Sequence, residues 1–171
     1  MTRTRPKTWD EGIEFEKARK KLEKIYREAS GKEKVYAATL LIQLVNGLRV
    51  REAWRALQHY LRTREREFYL EPGKHGAPRP VKIPRIIRYY EQWKWVLSVD
   101  PVKARKRLYY YARKWLRTNT HSLRYALVGY LARRGVSPQV IAKITGHKKL
   151  DRILQYTQLI AAEDILDELV R

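Results

Sequence analysis

Glu67-Phe68-Tyr69-Leu70 and Pro80-Val81-Lys82-Ile83-Pro84 alternate in the manner of two short strands. Between them, Glu71-Pro72-Gly73-Lys74-His75-Gly76-Ala77-Pro78-Arg79 is dense in turn residues. The combination reads as a β-hairpin, and nearly everything on either side reads as helix. Upstream, Ile13, Phe15, Leu22, Ile25 and Tyr26 fall near helical spacing between Asp10 and Ala29, and Ser30-Gly31 breaks that run. Lys34 to Gln58 is rich in Ala, Leu and Val and predicts two helices with a bend near Asn46-Gly47. Downstream, helical patterns run from Ile86 to Val99 and from Pro101 to Arg117. Another is capped by Asn119 or Thr120 and runs to Leu131, and one is opened by Ser137-Pro138 and closed by Gly146. Asp151 caps a short segment, and Ala161 to Arg171 forms an acidic amphipathic helix with Ile165, Leu166, Leu169 and Val170 on one side. The expected fold class is mainly α with one small antiparallel β-hairpin. The 171 residues suit a single domain, with residues 1–8 as a basic tail.

The charge narrows the partner. Subtracting 18 acidic from 38 basic residues leaves +20, while the hydrophobic content of 44% is that of a globular chain rather than a disordered tail. A folded domain with such an excess repels itself and calls for a polyanion. Basic residues spread along the chain among aromatics favour nucleic acid over a membrane surface, and over a merely soluble basic protein. The absence of cysteine excludes a disulfide scaffold, a thiolate nucleophile and a Cys-ligated zinc site. No apolar run approaches the length of a membrane span and no apolar signal core follows Met1, so the expected address is the cytoplasm. A single Met, no Cys and 33% charged residues lean towards a heat-adapted source.

Four separated pieces carry chemistry: Asn46-Gly47-Leu48-Arg49-Val50-Arg51-Glu52-Ala53; Gly73-Lys74 in the hairpin turn; His121-Ser122-Leu123-Arg124-Tyr125; and Thr145-Gly146-His147, with Tyr156 nine residues further on. Each alone is common. Arg49 could pair with Glu52 on a surface, Lys74 could be a solvated turn residue, and His147 could be a cation at a helix C-terminus. Their order and their intervals, 25 residues from Arg49 to Lys74 and 23 from Arg124 to His147, set them apart.

Together the pieces resemble the catalytic domain of the tyrosine recombinase, or phage-type integrase, family, from about Leu40 to Thr157. That family carries a Gly-Leu-Arg-x-x-Glu box, a β-turn lysine, a His-x-x-Arg box, a Gly-His pair and a tyrosine nucleophile. The resemblance implies an α+β catalytic domain whose active site is Arg49, Lys74, His121, Arg124, His147 and Tyr156. It also implies a double-stranded DNA substrate with an attachment-site-like core and self-association into a dimer or tetramer on DNA; the last helix (161–171) has two readings, packing on its own domain or, as in the family, docking on a neighbouring protomer. The source implied is a mobile element such as an archaeal virus or plasmid. The chain departs from the pattern at Trp54, where small residues are usual, and after Lys74, where Lys82 competes for the lysine role. About 48 residues precede Arg49, so the family's N-terminal DNA-clamping domain is expected to be absent.

The residue types suit the implied reaction. A tyrosine hydroxyl that breaks a phosphodiester stores the bond energy in a phosphotyrosine, so ATP is not needed. Two guanidiniums, Arg49 and Arg124, can hold the non-bridging oxygens. His121 is placed to take the tyrosine proton, Lys74 to protonate the leaving 5′ oxygen, and His147 to bind the phosphate. No cofactor or metal is expected. Tyr89, Tyr90 and Tyr109-Tyr110-Tyr111 read as core aromatics rather than base-stacking platforms, and His59 and His75 as surface residues. A non-catalytic basic DNA-binding module, in which 136–147 would form a helix-turn-helix, a type IB topoisomerase and an inactive relic are the alternatives.

Overall fold

A computed structural model describes residues 13–72 and 77–171. Helices α1 (Phe15–Glu28), α2 (Gly31–Asn46) and α3 (Val50–Thr63) lead into strands β1 (Glu67–Leu70) and β2 (Arg79–Lys82). A 3-10 helix (Glu91–Ser98) follows, then α4 (Pro101–Leu116), α5 (Thr120–Arg133), α6 (Pro138–Thr145) and α7 (Asp151–Leu169). The described chain is mainly helical with one two-stranded antiparallel sheet, in which Glu67 faces Lys82 and Leu70 faces Arg79.

The centre is α2. Eleven of its sixteen residues are buried, because its sequence is apolar on every side. It is surrounded by α1, α3, α4 and α5. Leu40, Leu41, Ile42 and Leu44 of α2 join Leu22 of α1, Trp54 and Leu57 of α3, Leu108 of α4 and Leu123 of α5 in the main core. Each such side chain contributes about 1.5–3 kcal/mol on burial. Trp54 fits here: it is fully buried, its ring stacks on Tyr36, and its Nε1–H donates to the Val99 carbonyl at 2.9 Å.

A second, smaller core lies between α5, α6 and α7: Tyr125, Val128, Ile141, Ala142, Ile153, Tyr156 and Ile160. Helix α5 therefore buries two faces, Leu123, Ala126 and Leu127 towards the main core and Tyr125 and Val128 towards the second. Arg124 sits between them.

Several boundaries differ from the expectations. Residues 10–12 lie outside the described residues, and α1 begins at Phe15. The second helix starts at Gly31, three residues before Lys34, with Ser30 in extended backbone at its N-cap. The segment expected to be helical from Ile86 becomes a turn and then a 3-10 helix. Its buried residues, Trp93 and Val96, are three apart and so share one face at three residues per turn. Asp151 is not a cap but the first residue of α7, which runs unbroken through the expected last helix because no Gly or Pro interrupts 151–169. Tyr109 and Tyr110 are exposed rather than core, whereas Tyr111 stacks on Tyr36 and packs at a tilt against Trp115.

Candidate active site

The Gly47-Leu48-Arg49 turn joins α2 to α3. Gly47 takes the left-handed conformation (φ 63°) that ends α2, and a Cβ there would lie 2.9 Å from Thr145 Cγ2 and 3.0 Å from Leu127 Cδ2. Only glycine meets both demands. Leu48 plugs the main core and leaves Arg49 exposed at the N-cap of α3. The Arg49 backbone N–H donates to Glu52 Oε1 at 3.0 Å, the return half of a capping box, and Arg49 Nη1 lies 3.6 Å from the same oxygen. The expected surface pair thus exists, but Glu52 does more than balance Arg49.

Arg124 is the most constrained member. It is only 1% exposed, and its Nη1 donates to the Gly47 carbonyl at 3.1 Å. Its Nη2 lies 3.2 Å from each ring nitrogen of His147. Burial, reinforced by the nearby charges of Arg49 and Arg79, lowers its pKa to about 9, so it stays charged at neutral pH. No carboxylate pairs with it among the described residues.

His147 follows the left-handed Gly146 that terminates α6. The Thr145 hydroxyl spends its proton on the Ile141 carbonyl at 2.8 Å, so the ring Nδ1, 2.6 Å from that oxygen, must be the donor. The neutral ring then offers Nε2 as acceptor to Arg124. Burial and the charges of Arg124, Arg49 and Arg79 pull its pKa to about 3. His121, on the first turn of α5, is exposed. Burial of part of its ring and then the charges of Arg124 and Arg49 lower its pKa, which keeps a neutral lone pair available. Its ring centroid is 4.8 Å from Tyr125, which is in turn 5.9 Å from His147.

One organising residue lies outside the expected site: Arg79, which by sequence falls in the turn. Arg79 is buried on β2. Its Nη2 contacts Glu52 Oε2 at 2.5 Å and its Nη1 donates to the Thr145 carbonyl at the end of α6. A Cβ on Gly146 would lie 2.6 Å from Arg79 Nη1. This one guanidinium ties the hairpin to the cap of Arg49 and to the turn of His147. Burial lowers its pKa, and Glu52 opposes that shift. The signal was present in the alternation: Arg79, Val81 and Ile83 are two apart and all buried, so the residue pointing inward two before Val81 is an arginine.

The structure thus brings together Arg49, His121, Arg124 and His147. Lys74 lies outside the described residues, as does His75. Lys82 is exposed and pairs with Glu67 at 3.2 Å, while its backbone N–H and carbonyl are pinned by the Asn46 side chain. Tyr156 is 5% exposed in the second core, packed in the same cluster as Tyr125. His59 is half-buried, bonded to Glu65 at 2.9 Å, with its ring tilted against Phe68.

No protein-family model matches the chain, and no solved structure matches it. It is 45% identical over 166 residues to a protein of Acidianus two-tailed virus that is named as a candidate integrase, covering 95% of this chain and 69% of that protein. The chain belongs to this viral integrase family. It is also 27% identical over 205 residues to a protein of Sputnik virophage named in the same way, covering 94% of the chain and 90% of the relative. An uncharacterized protein of Methanocaldococcus jannaschii is 31% identical over 196 residues, covering 93% of the chain and 87% of that protein. Among the described residues, no helix of this integrase-family chain is long and apolar enough to cross a membrane.

Proposed function

We propose that the chain is the catalytic domain of a site-specific DNA recombinase of the tyrosine type. The observation that carries this reading is Arg124, a charged guanidinium buried beside two further arginines, with only a carbonyl and a neutral imidazole as partners. A buried cation without a counter-ion is costly unless an anion arrives. A DNA phosphodiester supplies that anion, and the +20 chain supplies the attraction. The viral relatives named as integrases agree with a DNA substrate.

In this mechanism Arg49 and Arg124 hold the non-bridging oxygens of the scissile phosphate. The Tyr156 oxygen attacks phosphorus and its proton passes to His121. The P–O5′ bond breaks, leaving a 3′-phosphotyrosine and a 5′ hydroxyl protonated by Lys74. Attack by the 5′ hydroxyl of another strand reverses the step and rejoins DNA, with no ATP consumed. Tyr156 is buried before DNA binds, so α7 must shift to present it. The exposed apolar face beyond it, Ile165, Leu166, Leu169 and Val170 on an acidic helix, suits docking on a neighbouring protomer of a dimer or tetramer.

The test is covalent capture. A library of nicked suicide duplexes with a randomised core, incubated with the protein, is expected to yield a denaturant-resistant adduct whose phosphate maps to Tyr156. An adduct that persists in Tyr156→Phe, or no adduct with any duplex, overturns the assignment.

A further inference from the structure

Two surfaces away from the active-site residues each lack a partner in their own chain. The first is the end of α7. Ile160 is the last buried residue of this helix, whose main contacts are with α5 and α6. Beyond it, Ile165, Leu166, Leu169 and Val170 are 57%, 59%, 75% and 82% exposed. Asp164, Asp167 and Glu168 stand among them, exposed and without an ion pair among the described residues. The second surface is a groove of about 710 Å³ between α1, α2, the hairpin and the segment that follows it. Leu41, Val45, Ile83, Ile86 and Ile144 give it an apolar lining. Around that lining stand four cations, Arg19, Arg66, Lys82 and Arg85, against two carboxylates, Glu23 and Glu67. Lys82 is paired with Glu67 at 3.2 Å and Arg19 with Glu16 at 3.0 Å. Arg66 donates only to the Pro84 and Ile87 carbonyls and the Tyr60 hydroxyl, and Arg85 is exposed. Neither Arg66 nor Arg85 has an ion pair among the described residues.

We infer that this groove receives the end of α7 from a second copy of the chain, its apolar side on the lining and its carboxylates on the cationic rim. The inference rests on the proposed function, which gives α7 a neighbouring protomer, and adds the surface that takes it. Burial of the exposed apolar side drives the association, and charge selects the surface. Two α7 ends laid together would set acidic rows face to face, and DNA or an anionic membrane would repel them too. Within its own chain the helix leaves that side exposed, so the groove it fills is another copy's. Because donor and acceptor surfaces differ, two copies close the contact by mutual exchange and a larger ring closes it by rotation. The groove is also the reverse of the site. Asn46, Pro80 and Ile144 line it, and their chain neighbours Gly47, Arg79 and Thr145 make the contacts that hold Arg124 and the His147 turn. Asn46 further clamps the Lys82 backbone, with both hydrogen bonds at 2.9 Å. An occupant therefore braces, from behind, the turns that position Arg49, Arg79 and His147.

The chain contains no cysteine, so introduced thiols report the contact directly. Arg85→Cys in one tagged chain and Leu169→Cys in another are mixed on a duplex of arbitrary sequence and oxidised. Lys103→Cys, at an exposed position of α4, is the control for Arg85→Cys. The groove thiol is expected to capture the helix thiol about tenfold faster than the control does, because docking raises their effective concentration. Adding Leu166→Asp, or Asp167→Lys with Glu168→Lys, to the Leu169→Cys chain is expected to remove that advantage. Thermal unfolding identifies which variants are folded, and the comparison is taken from those. Capture no faster than the control, capture indifferent to both donor changes, or cross-links only between two Leu169→Cys chains overturn the groove. So does a chain carrying both Arg85→Cys and Leu169→Cys that closes on itself as a monomer, since α7 would then pack on its own domain. None of these readouts needs cleavage. If wild type forms no adduct on any suicide duplex, the proposed reaction fails, while the cross-link still decides the groove. Where the adduct forms, Leu166→Asp is expected to slow it by about fivefold or more at saturating DNA, and an unchanged rate overturns the bracing of the site.

Discussion

Arg79 and Arg124 are both buried cations, yet they are balanced in opposite ways. Arg79 faces Glu52 at 2.5 Å, so removing it leaves a largely buried carboxylate with only the more distant and exposed Arg49 as its ion-pair partner. Arg79→Leu is therefore expected to destabilise the fold by about 3–5 kcal/mol, read from urea denaturation, and a loss under about 1 kcal/mol would exclude the strut. Arg124 has no such partner. Arg124→Met removes a desolvated charge and fills similar volume, so stability should hold or rise while adduct formation falls by a factor on the order of 100 or more. His147 adds a pH dependence. Its folded pKa of about 3 lies below its ordinary 6.5, so the folded state prefers the neutral ring. The resulting stability is present above about pH 6.5 and is lost as the pH falls towards 3. In NMR titration the His147 ring of the free protein should stay neutral at pH 5, and His147→Gln should flatten the acid limb of the stability curve. In the proposed reaction, a phosphate bound beside the ring would offset the positive field of the arginines and raise that pKa.

At the scale of elements, the sequence announced those parts whose local chemistry agrees with their tertiary role. Ser137-Pro138 and Gly146 bound α6 as capping rules require, and the alternating runs around the turn do form the hairpin. What was hidden depended on distant neighbours. The 3-10 helix is set by how Trp93 and Val96 meet the core. Arg79 took its importance from Glu52, which is 27 residues away in the chain. In the same way, Arg49, His121, Arg124 and His147 were legible as motif residues, but the burial of Arg124 and the tautomer of His147 depend on Gly47 and Thr145. Two glycine turns separate local from tertiary demand. Gly135 and Gly146 both have positive φ, 76° and 71°, but a Cβ on Gly135 meets nothing within 4 Å whereas one on Gly146 collides with Arg79. Gly135→Ala should cost about 1–2 kcal/mol, the backbone term alone, with cleavage unchanged at saturating DNA. Gly146→Ala carries that term and also displaces Arg79, so it should cost more and slow adduct formation. Equal effects of the two variants on both stability and cleavage would show that Arg79 gives way freely and does not position the site.

For the whole molecule, the +20 charge divides into two populations that respond differently to salt. In the proposed reaction the site cations act at the scissile phosphate, and Arg124 and Arg79 are held by specific partners. Most others sit on exposed faces such as that of α4, where Lys103, Lys106, Arg107 and Arg113 are all exposed. Such side chains bind duplex backbone by releasing counterions, so the logarithm of affinity falls linearly with the logarithm of salt concentration, by about 0.9 for each phosphate neutralised. They position the duplex with little base preference. Lys106→Ala with Arg113→Ala should therefore reduce that slope by about 1–2 and weaken binding similarly across DNA sequences, while the adduct rate at saturating DNA stays near wild type. Arg124→Met should do the reverse, with the slope changed by no more than about 1 and the saturated rate collapsed. Fluorescence anisotropy across a salt series, paired with single-turnover cleavage on the same duplexes, separates the two. If the α4 pair lowered the saturated rate as much as Arg124→Met does, grip and chemistry would not be divided between surface and pocket, and the fold would be using its charge as a single field.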